Sequence, residues 1–203
     1  MYCIQNLPYS AGLMAQSCWF IEFKSILQLV ADGYSYDDIR RICLEQNLFG
    51  APNEYRAKRI CGYLINRARL VDDDLLQLFF SSDVSTRKLI NLIAILRGDR
   101  LFFEFIREVY REKVYMGQPM IEAVDINSFF TRKGQQSEVV EKWNDSTKKH
   151  LRSNYLNCMT DAGLLRRENN EYHITIVLPD DRLVNCLKQT GDEALLKAIT
   201  GER

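Results

Sequence analysis

The sequence predicts a mainly α-helical protein in two parts. A multi-helix N-terminal body spans residues 1–133, and a helix-turn-helix or winged-helix-like unit with a small β-hairpin, residues 134–203, packs on it. Three observations lead there. Apolar residues recur at helical spacing through most of the chain. A clear period of two appears in one stretch, where Tyr172, Ile174 and Ile176 alternate with polar residues. The last third reads helix, turn, helix and hairpin, which are the components of a winged helix.

The elements follow in order. Leu13, Trp19, Phe20, Phe23, Ile26, Leu27 and Val30 predict a first helix over residues 11–31, stopped by Asp32-Gly33. Ser35 is placed to cap a second helix, with Asp37 and Asp38 in its first turn, ending near Asn47. NLFGAP is a turn, and Asn53 caps a third helix to about Leu70. Its buried arc is Ala57, Cys61, Leu64, Ile65 and Ala68; Arg56, Arg59, Tyr63, Asn66 and Arg67 fall on the outer arc. The acids Asp72, Asp73 and Asp74 imitate a magnesium site but suit a helix start better.

TRKLINLIAILRG, apolar all round from Leu89 to Leu96, is a central helix, and RLFFEFIREVYREKVY is another. Gly117 and Pro119 interrupt the pattern. A shorter helix follows around residues 125–132, and KGQQS reads as a hinge. Then come the short helix SEVVEKW, a cap at Asp145-Ser146, and a helix to Gly163 that buries Leu151, Tyr155, Cys158, Met159 and Ala162. LLRR and EYHITIV pair across Glu168-Asn169-Asn170. DDRLVNCLKQ and DEALLKAIT are the last helices.

Lysine plus arginine and aspartate plus glutamate both number 27, so attraction to a charged partner must come from local patches. The most apolar stretches are broken by charge before the roughly 20 residues a membrane span needs. The first residues carry no basic leader or cleavage site, so a soluble, cytoplasmic protein is expected. Cys3, Cys18, Cys43, Cys61, Cys158 and Cys186 are widely spaced without C-x-x-C pairs and read as buried free thiols of a reducing compartment. His150 and His173 have no ligand at a metal-binding interval, and no phosphate-loop, dinucleotide or nucleophile-elbow motif occurs. No metal, cofactor or catalytic group is expected.

Two basic constellations remain. On the helix from Thr147 to Gly163, Lys149, Arg152, Ser153 and Asn157 lie away from the apolar arc. His150 is near them, Thr147 and Lys148 stand at the helix start, and Arg166 and Arg167 sit at the base of the hairpin. In helix-turn-helix proteins such positions reach phosphates and base edges of duplex DNA. The bland alternative is a solvated helix face, diluted by Asp145, Asp161 and Glu168. The second constellation holds Arg40, Arg41, Arg56, Lys58, Arg59, Arg67 and Arg69 against Glu45 and Glu54. It suits phosphates, an acidic protein partner, or intramolecular pairing with Asp72 to Asp74.

Four segments together resemble the BrxA family, small proteins of BREX bacteriophage-defence systems. They are EFKSILQLVADGYSYDDIRRICLEQNLF, ILRGDRLFFEFIREVY, WNDSTKKHLRSNYLNCMTDAGLL and LPDDRLVNCLKQTGDEALLKAITG, in the same order along nearly the whole chain. The resemblance implies a cytoplasmic, non-enzymatic component of a bacterial antiviral defence island, acting beside a methyltransferase and large ATPases. It implies nucleic-acid binding, double-stranded DNA above all. RNA is the weaker expectation, from the likeness of the helical part to the antitermination factor NusB. An inner-membrane label carried by the family conflicts with the absence of a spanning segment. The stretch MYCIQNLPY departs from the family pattern. The resemblance supplies no active-site signature, so the site residues come from the helical reading above. Duplex DNA binding leads, with a protein-interaction adaptor as its rival.

Overall fold

The computed structural model describes residues 4–202 and is mainly helical, with one small sheet. Short 3-10 turns at Ile4–Asn6 and Gly12–Ala15 precede the first long helix, α1, Phe20–Ala31. The start lies later than the residue 11 that periodicity predicted, and the cause is distant in sequence. The carbonyls of Ser17 and Cys18 accept hydrogen bonds from the Arg67 guanidinium, at 3.1 and 2.5 Å. The Asn91 amide donates to Cys18 as well, at 2.9 Å. Those carbonyls are therefore taken by side chains, and Trp19 enters α1 through a left-handed conformation, φ +42°.

Helix α2, Tyr36–Glu45, is capped by Ser35, whose hydroxyl accepts from the Asp38 N–H. Asn53 caps α3, Glu54–Ala68, and the expected arc of Ala57, Cys61, Leu64, Ile65 and Ala68 is buried. Asp72 caps α4, Asp73–Ser81, by accepting from the Leu75 N–H. The acid run is thus a helix start.

Helix α5, Val84–Gly98, is buried without a break from Leu89 to Arg97, as its all-round apolar surface requires. The Arg97 guanidinium binds Asp192 at 2.6 Å, Asp72 at 3.0 Å and the Leu70 carbonyl at 2.5 Å, tying two helix starts to the centre. Next come α6, Arg100–Phe105, a π-helical turn at Ile106–Tyr110 and α7, Arg111–Tyr115.

After strand β1, Met120–Ile121, helix α8 runs Ala123–Gln136 and so continues through the segment read as a hinge. Lys133 explains the continuation: it is buried and reaches Glu104 at 2.6 Å and Glu108 at 2.7 Å. A short α9, Glu138–Glu141, leads to α10, Asp145–Asp161. Its cap is Asn144 and not the Asp145-Ser146 pair, because the Asn144 side chain accepts from the Thr147 N–H at 2.8 Å. Gly163, at φ +83°, ends the helix in the left-handed region that glycine tolerates.

Strands β2, Leu165–Glu168, and β3, Glu171–Ile174, form the expected hairpin. Asn169 and Asn170 both have positive φ, the requirement of a tight two-residue turn. The sequence did not foretell the third strand. β1 pairs antiparallel with β3, giving the order β1-β3-β2, and two residues are too few to show a period. Helices α11, Asp181–Gln189, and α12, Glu193–Thr200, close the chain.

The core beneath α10 is aromatic. Tyr155 stacks on Phe102 with centroids 4.3 Å apart, and Phe105 lies 5.5 Å from Tyr155 and 5.2 Å from Phe129. Cysteine usage needs a correction. Cys18 and Cys158, read as free thiols, are joined in a disulfide with Cα atoms 5.3 Å apart. A sequence separation of 140 hides such a pair from any spacing rule. Cys43, Cys61 and Cys186 are free and buried, and Cys3 lies outside the described residues.

Candidate nucleic-acid interface

The apolar arc of α10 sets the orientation of everything else on it. Leu151, Tyr155, Leu156, Cys158 and Met159 are buried, so Lys149, His150, Ser153 and Asn157 face solvent, with Thr147, Lys148 and Arg152 half-buried. Lys148, Lys149 and Arg152 line a cleft of about 350 Å³ between α10 and α8. Ile126, Asn127, Phe130 and Thr131 form its other wall, with Asp145 at one end. Asn127 and Thr131 are exposed, one helical turn apart. They were missed as site residues, although their polarity beside Ile126 and Phe130 marks that face.

Among the described residues, the side chains of Lys148, Lys149, His150 and Arg152 have no ion pair or hydrogen bond within the protein. Three cations in one cleft are thus left to solvent or to a partner. Ser153 and Asn157 continue the outer face of the helix. Asn154, between them, is committed elsewhere: its amide donates to the carbonyls of Leu13 at 2.6 Å and Gln16 at 3.0 Å. With the Cys18–Cys158 bond it fastens the N-terminal segment to α10.

The hairpin arginines are exposed but engaged. Arg166 pairs with Glu168 at 3.1 Å, while Arg167 donates to Asn170 at 2.8 Å and lies 5.7 Å above the Tyr172 ring. Both partners are solvent-exposed, and such contacts exchange cheaply.

The second constellation does not form one free face. Arg40 pairs with Asp37 at 3.6 Å, Arg41 with Asp38 at 2.8 Å and Lys58 with Glu54 at 2.6 Å, all within one helical turn. Arg67, read as part of the outer arc, is buried; desolvation pulls its pKa down to about 9, and it remains charged at neutral pH. Arg69 lies 4.9 Å from the Tyr36 ring and donates to Asn66 at 3.4 Å. Arg59 sits between Tyr55 and Tyr63, at 5.6 and 6.0 Å. Arg56 is exposed.

No helix of the described residues is long and apolar enough to cross a membrane.

Residues 7–191 match the family model described as BrxA. The chain is 30% identical to the BREX protein BrxA of Bacillus cereus (strain H3081.97) over 199 residues, covering 98% of this chain and 100% of that one. Its fold is similar to the crystal structure of an uncharacterized protein from Magnetospirillum magneticum, with a TM-score of 0.81 and 17% identity over 96% of this chain and 99% of that one. At that identity the likeness speaks for the fold alone. A family model spanning most of the chain and a relative matched from end to end lead to one conclusion: the chain belongs to the BrxA family, the family its segments resemble, and is a BREX-system component.

Proposed function

We propose that this BREX component binds double-stranded DNA, mainly through backbone phosphates, with α10 as the element presented to the duplex. The observation that carries the reading is the trio Lys148, Lys149 and Arg152, without partners among the described residues, in the α8–α10 cleft. Each phosphate neutralised there releases counterions, so binding weakens steeply with salt. The cleft adjoins the start of α10, where the helix dipole also favours an anion.

In this reading α10 acts as the recognition helix and the β2–β3 hairpin as a wing. His150, Ser153 and Asn157 face base edges, and Arg166 and Arg167 release their weak surface partners to hold phosphates on the flank. The unit of residues 134–203 works on the scaffold of residues 1–133, in the cytoplasm, without catalysis or cofactor.

Fluorescence anisotropy with labelled duplexes of unrelated sequence, titrated at several salt concentrations, tests this. The double variant Lys149→Ala/Arg152→Ala lowers affinity roughly tenfold or more on every duplex and reduces the salt slope by about 2. Unchanged affinity would sink the assignment of α10. Preferential competition by double-stranded RNA would shift the function away from DNA, because A-form RNA hides the groove a helix enters.

A further inference from the structure

We infer that the outer face of α3 is a stacking platform for the unpaired bases of single-stranded nucleic acid. This goes beyond duplex binding at the α10 cleft and does not depend on it.

The platform is a row of π surfaces. Tyr55, Arg59 and Tyr63 stand at i, i+4 and i+8, one above another along α3 and about 6 Å apart per step. The Arg59 guanidinium is 5.6 Å from the Tyr55 ring centre and 6.0 Å from that of Tyr63. Trp19 extends the row, stacked on Tyr63 with centroids 6.3 Å apart and planes 25° from parallel. Tyr55, at its far end, is 71% exposed. The row therefore runs from a half-buried indole to an aromatic ring open to solvent.

The backbone supports the row at a cost. A bulky residue at positive φ is a true outlier, and strained positions persist where the surroundings over-determine them. Trp19 is such a residue. The buried Arg67 guanidinium donates to the two carbonyls that precede it, with Asn91 on one of them. Cys18 is also fixed covalently to α10. These contacts hold the indole against Tyr63.

The charge pattern selects the ligand. Arg40, Arg41 and Lys58 are already neutralised by acids one turn away, so the face is poor in free cations for a duplex or an acidic peptide. It is rich in aromatic and guanidinium planes, which stack on bases of any sequence. Bases within a duplex are stacked on their neighbours, so only unpaired bases can use such a row. Arg56, exposed and next to Tyr55 in the chain, is left for an accompanying phosphate.

The test uses the full chain and fluorescein-labelled oligothymidylate and oligouridylate of roughly 12 nucleotides, within the span of known single-strand sites. At least one strand is expected to bind saturably and to quench tryptophan emission, and the quench disappears in Trp19→Phe. Which strand binds tighter tells DNA from RNA. Tyr55→Ala weakens binding roughly tenfold or more, as loss of one stacked base does, while Tyr55→Phe stays within about twofold of the parent. Because Tyr55 is exposed, its melting temperature is a fair check that both variants fold. Failure of both strands to bind, a Tyr55→Ala variant that binds a strand normally, or equal weakening of strand and duplex overturns the proposal. So does a polyglutamate peptide that displaces the strand at equal charge. Lys149→Ala/Arg152→Ala separates the two sites: it retains strand binding whether or not it changes duplex binding.

Discussion

The two basic surfaces of the molecule began alike and ended unlike. Along α10, Lys148, Lys149 and Arg152 converge on a cleft and find no partner among the described residues. On the α2–α3 side, Arg40, Arg41 and Lys58 are paired and Arg67 is buried. The two faces differ in whether the acids three or four residues away along the helix have closed on the bases. Asp37, Asp38 and Glu54 have done so; Asp145, three residues from Lys148 and four from Lys149, lines the cleft beside them and, among the described residues, pairs with neither. A count of basic residues measures the charge carried, and the pairs that actually close decide how much of it remains available.

The strongest way to break the comparison is at Arg67. Arg67→Ala removes a buried cation and leaves the Ser17 and Cys18 carbonyls short of donors, costing about 3 kcal/mol. Calorimetry should show a melting temperature lower by about 6–12 °C. An unchanged melting temperature would return Arg67 to the surface set and erase half of the contrast.

A smaller effect sharpens the other side. Asn144→Ala removes the cap of α10, worth about 1 kcal/mol, and should lower the melting temperature by about 2–4 °C. If the Asp145-Ser146 pair takes over the cap, the thermal scan will show no shift.

The smallest effect belongs to the paired face. Arg40→Ala/Arg41→Ala breaks two exposed pairs within one helix and should leave the melting temperature within about 1 °C and duplex affinity within about twofold. A loss as large as that of the α10 double variant would mean that the pairs open readily and that this face grips phosphate too.

What the sequence made legible were the features decided by neighbours in the chain. Ser35, Asn53 and Asp72 cap as their spacing predicts, the apolar arcs of α3 and α10 are buried, and the asparagine pair turns the hairpin. The outward residues of α10 follow from its buried arc. Features decided at a distance were hidden. The late start of α1 depends on Arg67 and Asn91, the disulfide joins residues far apart, and the second wall of the cleft comes from α8. Lys133 looked like part of a flexible link because the carboxylates that bury it, Glu104 and Glu108, belong to another helix run. The pairing of Arg40 and Arg41 was within reach, since Asp37 and Asp38 had already been noted as first-turn acids.

Strand β1 bears on how the chain survives its own synthesis. The edge of β3 that faces away from β2 is covered by Met120–Ile121, and the Ile174 N–H donates to the Pro119 carbonyl at 2.8 Å. A bare strand edge is a template for pairing with another chain. The covering strand leaves the ribosome before the hairpin does, so β3 meets a partner from its own chain first. The opposite edge, β2, has no covering strand among the described residues and instead carries Arg166, Arg167 and Glu168, charges that discourage a second molecule from adding itself there. The sheet is small, yet each of its two outer sides is guarded against aggregation by a different means.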